Sequence, residues 1–588
     1  MAEERLPETP NAVDLAMKEA ADDPAPDNPA RILLAKQNRL IDAQVRQLGR
    51  QWWRDVIVTL LGAALLALVV LFVWNAGRSR AVVVETFDTP PSLVARGLTP
   101  QVVAGSVQDA LAVIQASNTR AALARKIDTI WANDIKVDVP NTNVSIGEVD
   151  RLLRARLGKE THVGGAIVAN PDGTLAMTIR ATGVPPKTFT GAPAELPALT
   201  MQAAEYVYGR FEPRLYAVYL NRQGKYDATI AFLQDAYPRA PEDQRASLLN
   251  AWGLALGQKG RMREGVAKLR MAIELNPYAW GAADNLIGMM FDVAGEEGAV
   301  REGRAVAARI ADAPADKRPD PTQQPLATYQ SLVSDYTSLV DETLAANEAN
   351  GGRSALSMGD TAYYLAEAEA RRHDWRAALH YLESAEPSAE ARAVRQLVVG
   401  LHAIEVGDTA RAVAAFDRFD AIFRTEDTVR FAFPTGPCWR GLAYGLAGRR
   451  EEADRMLAAA GRWSECYSLA GDVAEAAGDR RGADALYARA KALTPSLPLP
   501  YQRHAMTLLK RGRGADAAVE FAAANRRGPR WADPLKGWGD ALAAQGKWRL
   551  AGTKYDAATP FAPRWGELAQ ARAAAKQRAA VASWWPFD

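Results

Sequence analysis

Two cysteines and five histidines in 588 residues leave little material for several kinds of chemistry. So few cysteines exclude a disulfide scaffold and a cysteine-rich metal site. The scattered histidines offer no ligand set, so no metal and no cofactor is expected. Charge of one sign is also missing: 71 basic residues face 69 acidic ones, for a net charge of +2. A nucleic-acid partner would ask for a basic excess, and none is present. No glycine-rich phosphate loop occurs, since the Gly-Lys pairs at Gly158, Gly224 and Gly546 continue with Glu, Tyr and Trp. No serine lies in a Gly-x-Ser-x-Gly context. His373-Asp374 has the look of half a triad, but its place at a turn predicts an exposed polar corner. His373 and His380 could share a helix face, a weak pattern for a metal. The expectation is a protein that is not an enzyme.

Long uncharged runs are absent everywhere except between Val56 and Trp74, a stretch of 19 residues. As a helix it would extend roughly 28 Å, close to the hydrocarbon thickness of a bilayer. Trp52, Trp53 and Trp74 flank it, where aromatic rings favour the headgroup level. The sequence predicts a transmembrane helix over 56–74 that contacts membrane lipid. Lys36, Arg39, Arg46, Arg50 and Arg54 precede it, and Arg78 and Arg80 follow. That excess predicts a cytoplasmic amino terminus. In a bacterium the carboxyl-terminal bulk would then be periplasmic, with the span in the inner membrane. The Ala- and Arg-rich composition suggests a bacterial source by association.

Residues 1–30 are rich in proline and acid and are expected to be disordered. Residues 31–55 read as a cytoplasmic amphipathic helix, with Leu33, Leu34, Leu40, Ile41, Val45, Leu48 and Trp52 on one broad face. It could form a short coiled coil that makes a homo-oligomer, lie on the inner leaflet, or simply extend the span.

Residues 81–209 read as a small juxtamembrane α/β domain. "AVVVETF" and "DIKVDVP" are strand-like, "TPQVVAGSVQDALAVIQ" and "SIGEVDRLLRARLG" helical. "THVGGAIVANPDGTLAMTIRAT" reads as two strands around Pro171-Asp172-Gly173, and "ELPALTMQAAEYVYGRF" as a closing helix. The element order resembles that of small domains between anchor and repeats in bacterial repeat proteins.

After residue 210 the text repeats itself. Ala470-Gly471, His504-Ala505 and Trp538-Gly539 recur at a spacing of 34. So do Gly478, Gly512 and Gly546; Ala483, Ala517 and Ala551; Tyr487, Phe521 and Tyr555; and Pro495, Pro529 and Pro563. A period of this length in helix-turn-helix text resembles the tetratricopeptide repeat. The resemblance implies a mainly α fold, an α-solenoid of helix pairs, over 210–310 and 327–565. About nine units are expected. Residues 311–326 read as a linker or insertion, and 566–588 as a capping helix with an aromatic tail, "SWWPFD", for which a seal on the last groove and a hydrophobic docking tag for a partner or the membrane are both open readings.

Members of that family hold protein partners on the surface lined by first helices. Arg214, Asn221, Arg222, Asn250, Gln502 and Lys510 are the candidate groove residues. They do not reproduce the Lys and Asn pattern that clamps a terminal carboxylate. Cys438 and Cys466 fall early in consecutive first helices, so a disulfide and two buried thiols are both open readings. The expected function is a membrane-anchored scaffold for protein–protein interactions in a bacterial cell envelope. A transmembrane signal transducer and a regulatory subunit of an envelope enzyme are the alternatives.

Overall fold

The computed structural model describes residues 11–22, 25, 28–36, 38–40, 56–57, 59–64, 66–67, 70, 82–116, 127–129, 161–349, 359–383, 388–426, 435–459 and 462–582. Two compact units result, one of residues 1–112 with 125–207 and one of 208–588 with 113–124.

The amino-terminal stretch holds a helix, α1 (Ala12–Asp22), in place of the expected disorder. Its small face explains it: Ala16 and Ala20 pack against Ala30 and Leu34 of a following helical segment, and Asn28 accepts a hydrogen bond from Ala30 N at 2.8 Å. Among the described residues no helix is long and apolar enough to cross a membrane. The expected span is described only at residues 56–57, 59–64, 66–67 and 70, which are helical. Most of the 31–55 helix and the final six residues, 583–588, also lie outside the described residues.

The α/β unit is built on a five-stranded sheet in the order β2-β1-β3-β4-β5. The strands are β1 (Val82–Asp88), β2 (Ile127–Thr129), β3 (Thr161–Ala169), β4 (Leu175–Ala181) and β5 (Val184–Gly191). β1 runs parallel to β2 and β3, and β3, β4 and β5 are antiparallel. Val84, Phe87, Val163, Met177 and Ile179 are buried, as are Val103, Val107 and Leu111 of helix α3 (Pro100–Ala116), which follows the short helix α2 (Pro91–Val94). The unit's last helix is α4 (Leu196–Phe211). The turn between β3 and β4 falls at Pro171-Asp172-Gly173, where Asp172 Oδ1 accepts from Thr174 N at 2.9 Å and Gly173 has φ +86°. β5 is an addition to the expected elements. Its sequence, VPPKTFTG, carries two prolines and no apolar alternation, a composition tolerated only on an edge strand such as this one. "DIKVDVP" and "SIGEVDRLLRARLG" lie outside the described residues.

The larger unit is an array of helix pairs. The first pair is Pro213–Arg222 with Tyr226–Ala236, and the second Glu242–Gln258 with Met262–Leu275. The third is a continuous helix, Trp280–Asp312, broken in conformation at Gly295; residues from both halves, such as Leu286 and Val306, share one core cluster. The fourth is Ala327–Leu332 with Tyr336–Ala349, and the fifth Gly359–Arg371 with Trp375–Glu383. The sixth is Ala389–Glu405 with Thr409–Thr425, and the seventh Gly436–Leu446 with Arg450–Ala459. The eighth is Ser464–Ala476 with Arg480–Leu493, the ninth Leu499–Lys510 with Gly514–Arg527, and the tenth Ala532–Ala543 with Trp548–Ala558. Gly566–Ala582 caps the end. Ten pairs are thus described, against an expectation of about nine. Residues 311–326 are not a free linker: they make two short helical turns, and Trp280 Nε1 donates to Lys317 O at 2.9 Å.

Each pair turns on one residue with positive φ. Seven of these are Gly224, Gly260, Gly407, Gly448, Gly478, Gly512 and Gly546, with φ from +70° to +81°. The amide of the residue after it then reaches back into the first helix, as Lys547 N does to Leu542 O at 2.9 Å. Pairs four and five use Ser334 and His373 instead, both at φ +61°.

The recurring small residue makes room for the aromatic of its own pair. A Cβ on Gly539 would meet the Tyr555 ring at 2.4 Å, and Tyr555 is 2% exposed with its hydroxyl held by Asp540 at 2.8 Å. Overpacking of that kind costs about 1–3 kcal/mol, more than the roughly 1 kcal/mol that alanine gains in helix propensity. Gly552 faces open space in the same pair. Gly539→Ala is therefore expected to lower, and Gly552→Ala to raise, the urea midpoint of the array. The same sign for both would refute the packing argument.

Candidate functional site

The array turns back on itself. Pairs three to five pack against pairs eight to ten across separations of 160 to 199 residues. Phe291 stacks on Trp463 at 4.3 Å, and Arg462 pairs with Asp292 at 2.7 Å. Glu297 accepts from Ser496 N at 3.1 Å, and Arg530 pairs with Asp335 at 3.3 Å. At the far end Arg372 donates to Phe561 O at 3.1 Å, and Arg564 pairs with Asp374 at 2.9 Å. The surface of first helices, which such arrays present to partners, is here crossed by these contacts between the array's own helices.

What remains between the two runs is a cavity of about 300 Å³. Its walls come from the first helices of pairs three, four, five and eight and from the starts of pairs seven and nine. Four carboxyl groups and one guanidinium line it: Asp292, Glu296, Glu367, Glu465 and Arg371. Phe291, Tyr336, Tyr363 and Tyr364 supply aromatic surface.

These groups are unequally satisfied. Asp292 is paired with Arg462, as above. Glu296, 5% exposed, accepts from Ser464 N at 2.6 Å and so caps the first helix of pair eight. Burial nonetheless pushes its carboxyl up to about 7, against the Ser464 amide that holds it down. Glu465 accepts from Trp439 Nε1 at 3.1 Å and lies 3.7 Å from Arg371, whose guanidinium also sits 4.9 Å above the Trp439 ring. Glu367 is one helical turn before Arg371, the spacing at which acid and base usually pair. Arg371 turns away to Glu465, and Glu367 has neither ion pair nor hydrogen bond among the described residues. Burial raises its pKa, opposed by the nearby Arg371 charge. Arg371 Nε is likewise buried without a partner among the described residues.

A larger hollow of about 890 Å³ lies between pairs seven and eight, against Phe423, Trp463 and Leu486. Its charged walls are spoken for, since Arg450 pairs with Asp454 at 2.7 Å and Arg462 with Asp292.

The six groove candidates do not form one site, and none lines either cavity. Arg214 is half-buried and Arg222 exposed in the first pair, beside Asn221, whose Oδ1 is buried without a partner among the described residues. Asn250 Oδ1 accepts from Asn285 Nδ2 at 2.8 Å, linking pairs two and three. Gln502 is buried and Lys510 exposed, both in pair nine. The residues that do converge, Glu296, Glu367, Arg371 and Glu465, carry no signal in the repeat text, because closure brings them together.

Cys438 and Cys466 form a disulfide with Cα atoms 5.2 Å apart, joining the first helices of pairs seven and eight. His373 is not an exposed corner. Its side chain is 13% exposed, with Nδ1 2.8 Å from Glu405, Nε2 3.3 Å from Asp533, and the ring stacked 3.7 Å from Trp565. His380 is 73% exposed beside Glu383, so the two histidines do not meet, and no metal-ligand cluster occurs among the described residues.

No family model matches the chain, and no curated protein matches it. Among solved structures it is similar to a chain of the APC/C hetero-tetramer Cut9–Hcn1, at 12% identity and TM-score 0.35, over 65% of this chain and 80% of that one. It is also similar to yeast Tom70, at 11% identity and TM-score 0.29, over 62% of this chain and 95% of that one. At such TM-scores the likeness adds no argument to the repeat geometry, which stands on the paired helices and their turns.

Proposed function

We propose that the chain is a membrane-anchored scaffold of the bacterial cell envelope, with its helical array in the periplasm and no catalysis of its own. The observation that carries the scaffold reading is the ten-pair array, an architecture whose working surface is a stack of helices rather than a catalytic cleft. Two further observations support the setting. Leu60, Leu61 and Leu66 are 64%, 65% and 66% exposed, so these three side chains stand outward as on a lipid-facing helix. The Cys438–Cys466 disulfide suits an oxidising compartment. With the inner surface crossed by these contacts, a protein partner is expected on the outward second helices, where Val519 and Leu550 are exposed.

Protease added to spheroplasts is expected to digest the array and leave a membrane-protected amino-terminal fragment; an intact array would reverse the orientation. Capture from gently solubilised membranes is expected to recover envelope assembly proteins. Recovery of a cytoplasmic kinase or regulator instead would move the reading to a signal transducer.

A further inference from the structure

We propose that the inner cavity is a binding site for an alkylammonium group, carried by a ligand of amino-acid size. This goes beyond the scaffold reading and does not depend on it. Glu367 is the centre of the argument. A carboxylate walled in by helices ordinarily has a donor, because an unmatched one costs more than a lost hydrogen bond. Glu367 has none among the described residues, although Arg371 on the same helix stands within reach and is drawn off by Glu465 and Trp439. The guanidinium is thus drawn to Glu465, and Glu367 is left on the cavity wall as a carboxyl without a donor among the described residues.

The rest of the lining fits a cation with an aliphatic stem. Phe291 and Tyr336 offer faces that attract an ammonium within about 6 Å, and the same faces cover methylene groups. The Ser464 side chain, on a residue 1% exposed, lines the same wall beside Glu296. Arg371 Nε–H also wants an acceptor, which an amide carbonyl beside the amine would supply. At about 300 Å³ the cavity is at the small end of the range for ligand pockets, roughly 300–1,000 Å³. The same ammonium could reach it on a lysine side chain of a partner or as a free diamine.

The test is calorimetric titration of the full chain in detergent micelles with Nα-acetyl-L-lysine amide, with cadaverine, and with 1-pentanol as the neutral control. Saturable binding of an amine but not of pentanol is expected. Glu367→Gln should weaken it at least tenfold. Gly288→Leu should abolish it, because Gly288 lines the cavity and a Cβ there meets nothing within 4 Å, so the position admits a side chain at the cavity wall. Tighter binding of the lysine amide assigns the site to a partner's lysine, and tighter binding of cadaverine assigns it to a free amine. Both outcomes support the site. If neither amine saturates, or if Gly288→Leu binds both as the wild type does, the proposal fails. Gly288→Leu keeps the proposal refutable even if Glu367→Gln does not fold.

Discussion

Loss of the Cys438–Cys466 bond is expected to lower the stability of the array by roughly 3–4 kcal/mol, the entropy of a closed loop of this size. The bond spans 28 residues and joins two first helices that lie side by side. Both cysteines are in the core, 0% and 2% exposed, among Phe416, Phe419, Trp439 and Leu469. Cutting the bond frees the unfolded chain more than it disturbs the folded one, so the effect should appear as a shift of the denaturant midpoint with little change in slope. A reductant cannot reach the buried bond without opening the pair. The cleaner comparison is the wild type unfolded and refolded with and without dithiothreitol, beside Cys438→Ala/Cys466→Ala. Trp463, at the start of pair eight, stacks on Phe291 from across the array. Loosening pairs seven and eight should therefore shift tryptophan fluorescence before the array as a whole unfolds. Equal midpoints for oxidised and reduced chain would show that packing alone holds these pairs.

Much of this architecture is local, and what is local is legible in the sequence. The columns at a spacing of 34 mark the last three pairs because each column has a steric job inside its own pair. A finer regularity is also readable. Asp472 with Tyr487 and Asp540 with Tyr555 recur as hydrogen-bonded couples at 2.6 and 2.8 Å, while the unit between has Met506 with Phe521 and needs no such bond. Acid and hydroxyl appear together or not at all, since a buried carboxylate without a donor is costly. The closure is not legible. Phe291 against Trp463, or Glu296 against Ser464, is decided by the summed rotation of the four pairs between them, and no short spacing records that sum. The candidate groove residues follow from a rule for open arrays, and closure moves the unmatched groups elsewhere. His373 escapes the sequence for a related reason. A turn in one pair is a corner only until another part of the array covers it.

That covered turn supports the second large effect. His373 faces Glu405 through Nδ1 and Asp533 through Nε2, with Trp565 stacked on its ring and Trp375 edge-on at 6.1 Å. Burial opposes its charge, but the two carboxylates outweigh burial and raise its pKa from 6.5 to about 9. A folded value above the unfolded one means the latch contributes fully below the ordinary histidine range. The contribution fades as pH rises through about 9, where the folded ring also gives up its proton. The shift corresponds to about 3 kcal/mol at most. His373→Ala should therefore cost about 3 kcal/mol at pH 6 and much less at pH 10. His373→Gly should recover roughly 1 kcal/mol of that loss, because φ is +61° at this turn and glycine adopts it without strain. Comparing each variant with the wild type at the same pH removes the titration of the other groups. A loss in His373→Ala that is the same at both pH values would mean that the ring stabilises by stacking on Trp565 alone, and that its two carboxylate partners are bystanders.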